Sequence, residues 1–590
     1  PTDFGEYDDN NNWNPKAYDG TYGTNGFHLD FSDNTSTTTI AEDSSGNNND
    51  WTANNLSVAS GAGNDSLIDT PTNYAASSGN NGGNYATFNP LNATGSGLSN
   101  GNLDLDGSSN FVQSTIMVDS GKYYFEFTKN GNGDNQLGIA YGGSSASTTG
   151  FRRVWRDNNG SPVWLTDGSN AGSGTALSCA IGDVIGVALD MDNNAVYFSK
   201  NGTYMNSGDP TSGSSKTGAI WTDLSGQSWG PVASGNANGV DCSLNTGQRP
   251  FAYTAPSGFK SLCTTNLPDP TIADGSTAMD VALYTGNGAN TNTISGLSMS
   301  PDLVWLKRRD SASHHALYDA VRGVYKHIGT SHTSAEYTES TGRGLSAFNS
   351  DGFTIDTSNG EHVGNGSVNV NNATYAAWTW DAGTSTVSNT DGSITSSVRA
   401  NPSAGFSIVS YIGPGSSATI GHGLDAAPEF IIVKNRDYTD PWAIYHVATG
   451  ANKLVYLDTS AASSVSGYWG SGPTSSVFGI GNYNGVARSG DDFIAYCFAP
   501  VSQFSAFGEY TGNGSSDGPF VFTGMRPKWI LIKRTDAAAS WVLHDSERST
   551  NNVSDAELLP NDSGAEYTYT RLDFLSNGFK ARTTEAASNA

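Results

Sequence analysis

Chemistry needs titratable, nucleophilic or metal-ligating side chains close together, and this 590-residue sequence supplies them unevenly. It holds 56 Asp and Glu but only 29 Lys and Arg, with 9 His and 4 Cys. There is no nucleophile elbow of the α/β-hydrolase type, no HExxH and no Walker-type loop. His314 and His315 are the adjacent histidine pair; without a third ligand of suitable spacing they read as a loop, not a metal centre. Asp190 with Asp192, or Asp104 with Asp106, offers paired oxygens to a calcium ion. Neither pair continues into an EF-hand spacing with its glycine and terminal glutamate. Paired carboxylates are also the machinery of glycoside hydrolysis, but that needs two carboxyls facing each other across a cleft, which spacing does not supply. The expectation is a protein without catalysis, metal or cofactor.

The stretch 141–164, YGGSSASTTGFRRVWRDNNGSPVW, is the better candidate for a site. It gathers Arg152, Arg153, Trp155, Arg156 and Trp164 in a chain otherwise poor in basic residues. Aromatic side chains bury large areas and guanidinium groups offer planar hydrogen-bonding forks, so these types dominate binding hot spots. The competing reading packs Trp155 and Trp164 in a core and pairs the arginines locally with Asp157 and Asp167.

The elements that would position this loop centre on 182–209. Val184, Gly186, Ala188 and Asp190 alternate with Ile185, Val187, Leu189 and Met191, a period-2 pattern with one fully apolar face. Asp192-Asn193-Asn194 supplies turn chemistry, Ala195 to Ser199 is a second strand, and Lys200-Asn201-Gly202 signals another hairpin. The string DVIGVALDMDNNAVYFSKNG is similar to the core hairpin of SPRY domains. Upstream, GKYYFEF at 121–127 and QLGIA at 136–140 resemble the same family in its order, and the resemblance covers residues 105–262. It implies a β-sandwich that binds partners through loops at one rim, where 141–164 falls.

Length and composition set the frame. A chain this long is expected to divide into several domains. Only 14% of residues are charged, against about 25% in ordinary domains. Yet 13 Trp and 26 Tyr exclude a disordered polar tract. Many short strands joined by Gly, Asn and Ser turns fit best. A formal charge of −27 opposes nucleic-acid binding, and no apolar run is long enough to span a bilayer. Cys179, Cys242, Cys263 and Cys497 show no CxxC spacing; Cys242 and Cys263 are close enough in sequence to pair, but free buried thiols are favoured. The opening at Pro1, without an initiator methionine, reads as a processed or partial terminus.

Taken in order, residues 1–20 read as a connector. Residues 21–104 resemble the opening of laminin-G/concanavalin-like domains, with a turn at 43–50 before a strand begun by Trp51, the rest being strands and loops packed on the next domain. The SPRY-like sandwich (105–262) is followed by a Pro-bearing linker (263–278). Beyond it lies an internal repeat. The glycine turn at Tyr284 recurs at Tyr411 and Tyr510, the strand carrying Lys307 at Lys434 and Lys533, and Leu317-Tyr318 at Ile444-Tyr445 and Leu543-His544. All three features share offsets of 127 and 99 residues. The units are 279–404, 405–503 and 504–590. The recurring lysines read as strand-end residues that cover or blunt an apolar edge, or as a contact to carbohydrate or another subunit. The first two units close with strands at Tyr375 to Trp380 and Ile494 to Ala499; on the same spacing the third falls beyond Ala590. Further residues, or a strand donated by a partner chain, are expected to complete it.

The expected fold is therefore all-β and multidomain: concanavalin/LamG-like and SPRY β-sandwiches followed by tandem β-sandwich repeats. This arrangement resembles virion proteins of marine bacteriophages, where it is associated with tail fibres and other host-facing appendages. The resemblance implies a homotrimer, contacts with other virion proteins, and recognition of a host surface glycan or protein without catalysis. It also implies location in the virion; charge and hydropathy add the expectation of no nucleic-acid partner and no membrane insertion. A purely architectural virion component, a secreted bacterial adhesin and a capsule depolymerase are the alternatives.

Overall fold

The computed structural model describes all residues except 1, 8–12, 17, 70–82, 94–96, 107–110, 132–134, 143–151, 158–160, 167–168, 171, 173, 236–239, 339–341 and 360–366. The chain is nearly all β and divides into two compact units, 1–141 with 146–268, and 142–145 with 269–590.

In the first unit two antiparallel sheets face each other. One carries Ala195–Lys200, Val184–Asp190, Lys122–Lys129, Val240–Asn245 and Asp104–Asp106 in that order. The other carries Val163–Thr166, Arg152–Arg156, Gln136–Tyr141, Trp229–Ser234 and Phe111–Gln113. Phe125, Phe127, Val187, Leu189 and Phe198 of the first pack against Leu137, Ile139, Trp155 and Trp229 of the second. The period-2 reading places these residues inside, as alternation requires. The other face of Val184–Asp190 is covered too: Ala188 packs with Tyr124, Tyr197 and Phe259, so the whole strand is buried. Asp190 closes the hairpin by accepting the backbone N–H of Asn193 at 3.1 Å and pairing with Lys122 at 3.0 Å. Asp192 accepts the N–H of Gly121 at 2.7 Å. Asp190 is thus engaged within its own turn and Asp192 with the start of the neighbouring strand. The four cysteines are buried and free.

The expected lectin-like strands near the N-terminus are not formed. Among the described residues of 18–69 there is one 3₁₀ turn and no strand, and Phe27, Phe31 and Trp51 are exposed. Side chains satisfy the backbone instead: Asp43 accepts N–H groups of His28, Ser45 and Asn49 at 2.8–2.9 Å. Such Asx bonding competes with a strand ladder. Downstream, Gly61 N–H donates to Pro250 O and Ile68 N–H to Gln248 O, and Ala86 and Phe88 enter the sandwich core, so these described parts of the segment do pack on that domain.

The second unit consists of three lobes, one per repeat. In the first, the central sheet runs Met279–Thr285, Thr374–Trp380, Leu303–Arg308, Ala316–Asp319. In the second it runs Phe406–Ile412, Asp492–Phe498, Phe430–Asn435, Ala443–His446. The order is the same: opening strand, closing strand, lysine strand, aromatic strand. The third lobe has the last two, Trp529–Ile532 and Val542–Asp545. Each lobe has a small core of its own, but the lobes are not separate beads. Trp305, Leu317 and Trp378 of the first, Phe406, Ile432, Trp442 and Tyr496 of the second, and Trp541 and Leu543 of the third share one cluster. The boundary expected at 404 also moves: Ser396–Asn401 pairs onto Phe406–Ile412 and Thr386–Asn389 onto Ser396–Asn401, so both extend the second lobe's sheet.

Candidate functional site

The structure separates the five residues singled out in 141–164. Trp155 and Trp164 lie in the sandwich core, paired across neighbouring strands, with Trp155 fully buried and its indole N–H donated to Leu177 O at 2.9 Å. Arg153 Nη2 meets the exposed Asp223 at 3.0 Å, and its guanidinium lies 5.5 Å from the centre of the Trp229 ring. Arg152 stacks on Phe111 at 3.8 Å, and Arg156 is half-buried. Asp157 pairs with Lys129 at 3.0 Å and not with an arginine, while Asp167 lies outside the described residues. Along the strand Arg152–Arg156, alternation places Arg152 and Arg156 on one face and Arg153, with Trp155, on the other. The neighbouring tail is fixed by Glu126, which accepts the N–H groups of Ala252 and Tyr253, both at 2.8 Å. Burial pushes the Glu126 carboxyl up from its ordinary value.

His314 and His315 are each held by hydrogen bonds. His315 is fully buried; its Nδ1 accepts the indole N–H of Trp305 at 2.9 Å, so Nε2 carries the proton and donates to Leu559 O at 3.1 Å. His314 bonds Ser331 at 2.7 Å. Among the described residues no three His, Cys, Asp or Glu side chains are grouped to hold a metal ion.

The densest polar chemistry lies where the lobes meet, and it recurs three times. His315, Trp442 and Trp541 occupy equivalent positions. The ring N–H of Trp442 donates to Gly329 O of the first lobe at 2.9 Å, and that of Trp541 to Tyr456 O of the second at 2.8 Å. With His315 bonded to the third lobe, the donors form a closed cycle. The repeated lysines follow the same cycle: Lys307 donates to Ser563 O at 3.3 Å, Lys434 to Thr333 O at 3.1 Å and Lys533 to Ser460 O at 3.3 Å. Each also caps the carbonyl of the residue after it at 2.8 Å. Burial draws all three ammonium groups down to about 8. They are junction residues, not exposed strand-end lysines.

Backbone bonds complete each seam: Glu566 N–H to Arg309 O, Glu336 N–H to Arg436 O, and Ser463 N–H to Thr535 O. At two seams a bidentate ion pair is added, Arg309 with Glu566 at 2.8–2.9 Å and Arg436 with Glu336 at 2.9–3.0 Å. At the third, Ser463 Oγ donates to Thr535 O at 2.8 Å instead. The closing strands reach backward in the same sense. Trp378 Nε1 donates to Asp545 Oδ2 at 2.9 Å, and Tyr496 OH to Asp319 Oδ2 at 2.8 Å. Each of these aspartates is paired with a fully buried arginine, Arg548 and Arg322. Buried polar groups of this kind specify how surfaces register more than they add stability. His315, Trp442 and Trp541 obey the 127 and 99 offsets, as do the three lysines, and that spacing is the signal that would have found them in the sequence; Trp378 and Tyr496, 118 residues apart, do not.

A family model for the SPRY domain matches residues 122–245. Among solved structures that match are the SPRY domain of human HERC1 and the PSpry domain of TRIM65. The first is 17% identical, covers 27% of this chain and 95% of that one, and has a TM-score of 0.21. The second is 16% identical, covers 27% and 88%, and has the same TM-score of 0.21. No curated protein matches. A second family model, described as "Domain of unknown function (DUF7483)", matches residues 274–590, which is all three lobes. The chain carries a SPRY domain and belongs to the DUF7483 family.

Proposed function

We propose that this chain is a non-catalytic structural and adhesion component of a phage virion, a tail fibre or similar appendage that recognises a glycan or protein on the host surface. The observation that carries the reading is the closed cycle of lobes. The buried lysines, the paired arginines and the seam tryptophans join repeats to one another, which is the work of a scaffold. The SPRY sandwich adds a rigid strand bearing Arg152, Arg153 and Arg156, suited to planar acceptors such as the carboxylates of acidic glycans or peptides. The proposed assembly is a homotrimer that docks on other virion proteins. A purely architectural role, such as capsid decoration, is the alternative, ahead of a secreted adhesin or a depolymerase.

The test is the mass of the purified chain by light scattering, followed by glycan-array binding with Arg152→Ala/Arg153→Ala as control. A trimer that binds an acidic glycan, with binding lost in the double variant, supports the reading. A monomer with no glycan preference refutes the fibre assignment and favours the architectural one.

A further inference from the structure

Lysine meets carboxylate at several places in the chain, and in Lys122–Asp190, Lys200–Asp183 and Lys528–Asp280 the lysine side chain is 27–36% exposed. Lys129–Asp157 differs. Its two side chains are 3% and 8% exposed, and Nζ lies 3.0 Å from Oδ2. The pair also joins the two sheets of the SPRY sandwich. Lys129 ends the strand Lys122–Lys129 of one sheet, and Asp157 directly follows Arg152–Arg156 of the other.

The groups around the pair are buried as well. Lys129 Nζ donates to Gly131 O at 2.9 Å. Asn135, fully buried, donates through Nδ2 to the same carbonyl at 3.5 Å and to Asp241 O at 3.1 Å. Its backbone carbonyl accepts the N–H of Asp157 at 3.0 Å, which fixes the aspartate at the end of its strand. Asn135 Oδ1 is left as a buried acceptor for which no described residue supplies a donor. The lysine has a hydrogen to give it: an ammonium group carries three, and Gly131 O and Asp157 Oδ2 take two. Taking two charges out of water is costly, and condensation to an amide removes both.

We propose that Lys129 and Asp157 condense into an intramolecular amide, a covalent staple between the two sheets of the sandwich. The ammonium group passes one proton to Oδ2 across the 3.0 Å contact, and the freed amine attacks Cγ. The Nζ–Cγ bond forms as the carbonyl π bond opens. A second proton moves from nitrogen to the departing oxygen, the Cγ–O bond breaks, the carbonyl re-forms and water leaves. One ammonium and one carboxylate thus give one neutral amide and one water, with no oxidant, reductant or co-reactant. Holding amine and carboxyl in contact makes the step unimolecular, and burial keeps bulk water from reversing it. Asn135 is a positioning residue: its Oδ1 takes an N–H of the lysine and turns the nitrogen lone pair toward Cγ. Cys179, Cys242 and Cys263 of this sandwich are free, so the amide is a cross-link of a kind that reduction does not break.

The test is the intact mass of the denatured 590-residue chain, followed by tryptic mapping. The chain should be lighter than its sequence mass by one water. Trypsin, which does not cut after an acylated lysine, should release a branched peptide joining 123–152 to 157–200. Lys129→Arg, which keeps the positive charge, and Asp157→Ala should each restore the full mass and abolish the branched peptide. Mapping of the unaltered chain decides the matter even where a variant fails to fold. Asn135→Ala should slow the loss of water about tenfold or more, read as mass against time after synthesis. Full mass with separate linear peptides 123–129 and 157–200 overturns the proposal. A loss of water that persists in Lys129→Arg also overturns it, as does a loss of ammonia mapped to Asn135, which would make the asparagine the partner. An Asn135→Ala chain that cross-links as fast as the unaltered one overturns the positioning role.

Discussion

Replacing Lys434 with Met tests whether the repeated lysines hold the lobes together. Lys434 is fully buried, and its ammonium group donates to Thr333 O, Asn435 O and Tyr438 O at 3.1, 2.8 and 3.3 Å. Held at about 8 instead of 10.5, it carries a burial penalty of about 3 kcal/mol at pH 7, which Met would relieve. Against that, three hydrogen bonds to a cation are lost, each worth about 1.5–3 kcal/mol, and three carbonyls are left without their donor. The losses exceed the relief, so Lys434→Met should lower stability by about 2–5 kcal/mol in denaturant unfolding of the whole chain. The pH dependence is the sharper readout. Between pH 8 and 10.5 the unfolded chain keeps the lysine proton that the folded chain has released, so this group's contribution to stability rises with pH across that window. The gap between wild type and variant should therefore widen by about 2–3 kcal/mol from pH 7 to pH 10. A variant as stable as wild type, or a gap that does not change with pH, would refute the reasoning.

Three further outcomes follow from the same geometry. Asp545→Ala strips the partner from the fully buried Arg548 and from Trp378 Nε1, and should cost about 3–5 kcal/mol by thermal or chemical unfolding. In the SPRY sandwich, Trp155→Ala should cost about 3–5 kcal/mol through the cavity it leaves, whereas Arg153→Ala, which breaks an ion pair with an exposed aspartate, should cost below about 1 kcal/mol. Burial lowers His332 and His446 to about 4, so their contribution is lost as pH falls from 6.5 towards 4. Burial raises Asp458 to about 6, which favours folding at low pH and is lost as pH rises through 6, so the two effects oppose each other. Asp458→Asn should raise stability at pH 7.5 and steepen its loss towards pH 4, read as melting temperature against pH.

The alternation in Val184–Asp190 and the 127 and 99 offsets were legible in the sequence because strand periodicity and repeat spacing are local properties. The covering of the second face of that strand by Phe259 was not, since it depends on a segment about 70 residues later that shows no pattern of its own. Likewise the lysines recur visibly, but a buried lysine and an exposed one look alike until the carbonyls that receive them are known. The core that the repeats share was not legible for a related reason. Trp305, Trp442 and Trp541, one from each repeat, meet in one cluster, and nothing in a single repeat's own pattern tells such a residue from one that packs within its lobe. At the N-terminus, Asp43 and its neighbours read as a turn and are one, but the strand after it required a sheet to join and found none.

The cyclic seam bears on how the protein is made. Arg309 and Glu566 are separated by 257 residues, and the donors of His315 and Trp378 likewise point at groups in the last repeat. At about 5–20 residues per second, the ribosome delivers those acceptors on the order of tens of seconds after the first repeat has emerged. During that interval the first lobe holds buried-type donors and a bare apolar flank with nothing to receive them. Its completion is set by the arrival of the third repeat, so the three repeats mature together once that repeat has emerged, not one after another.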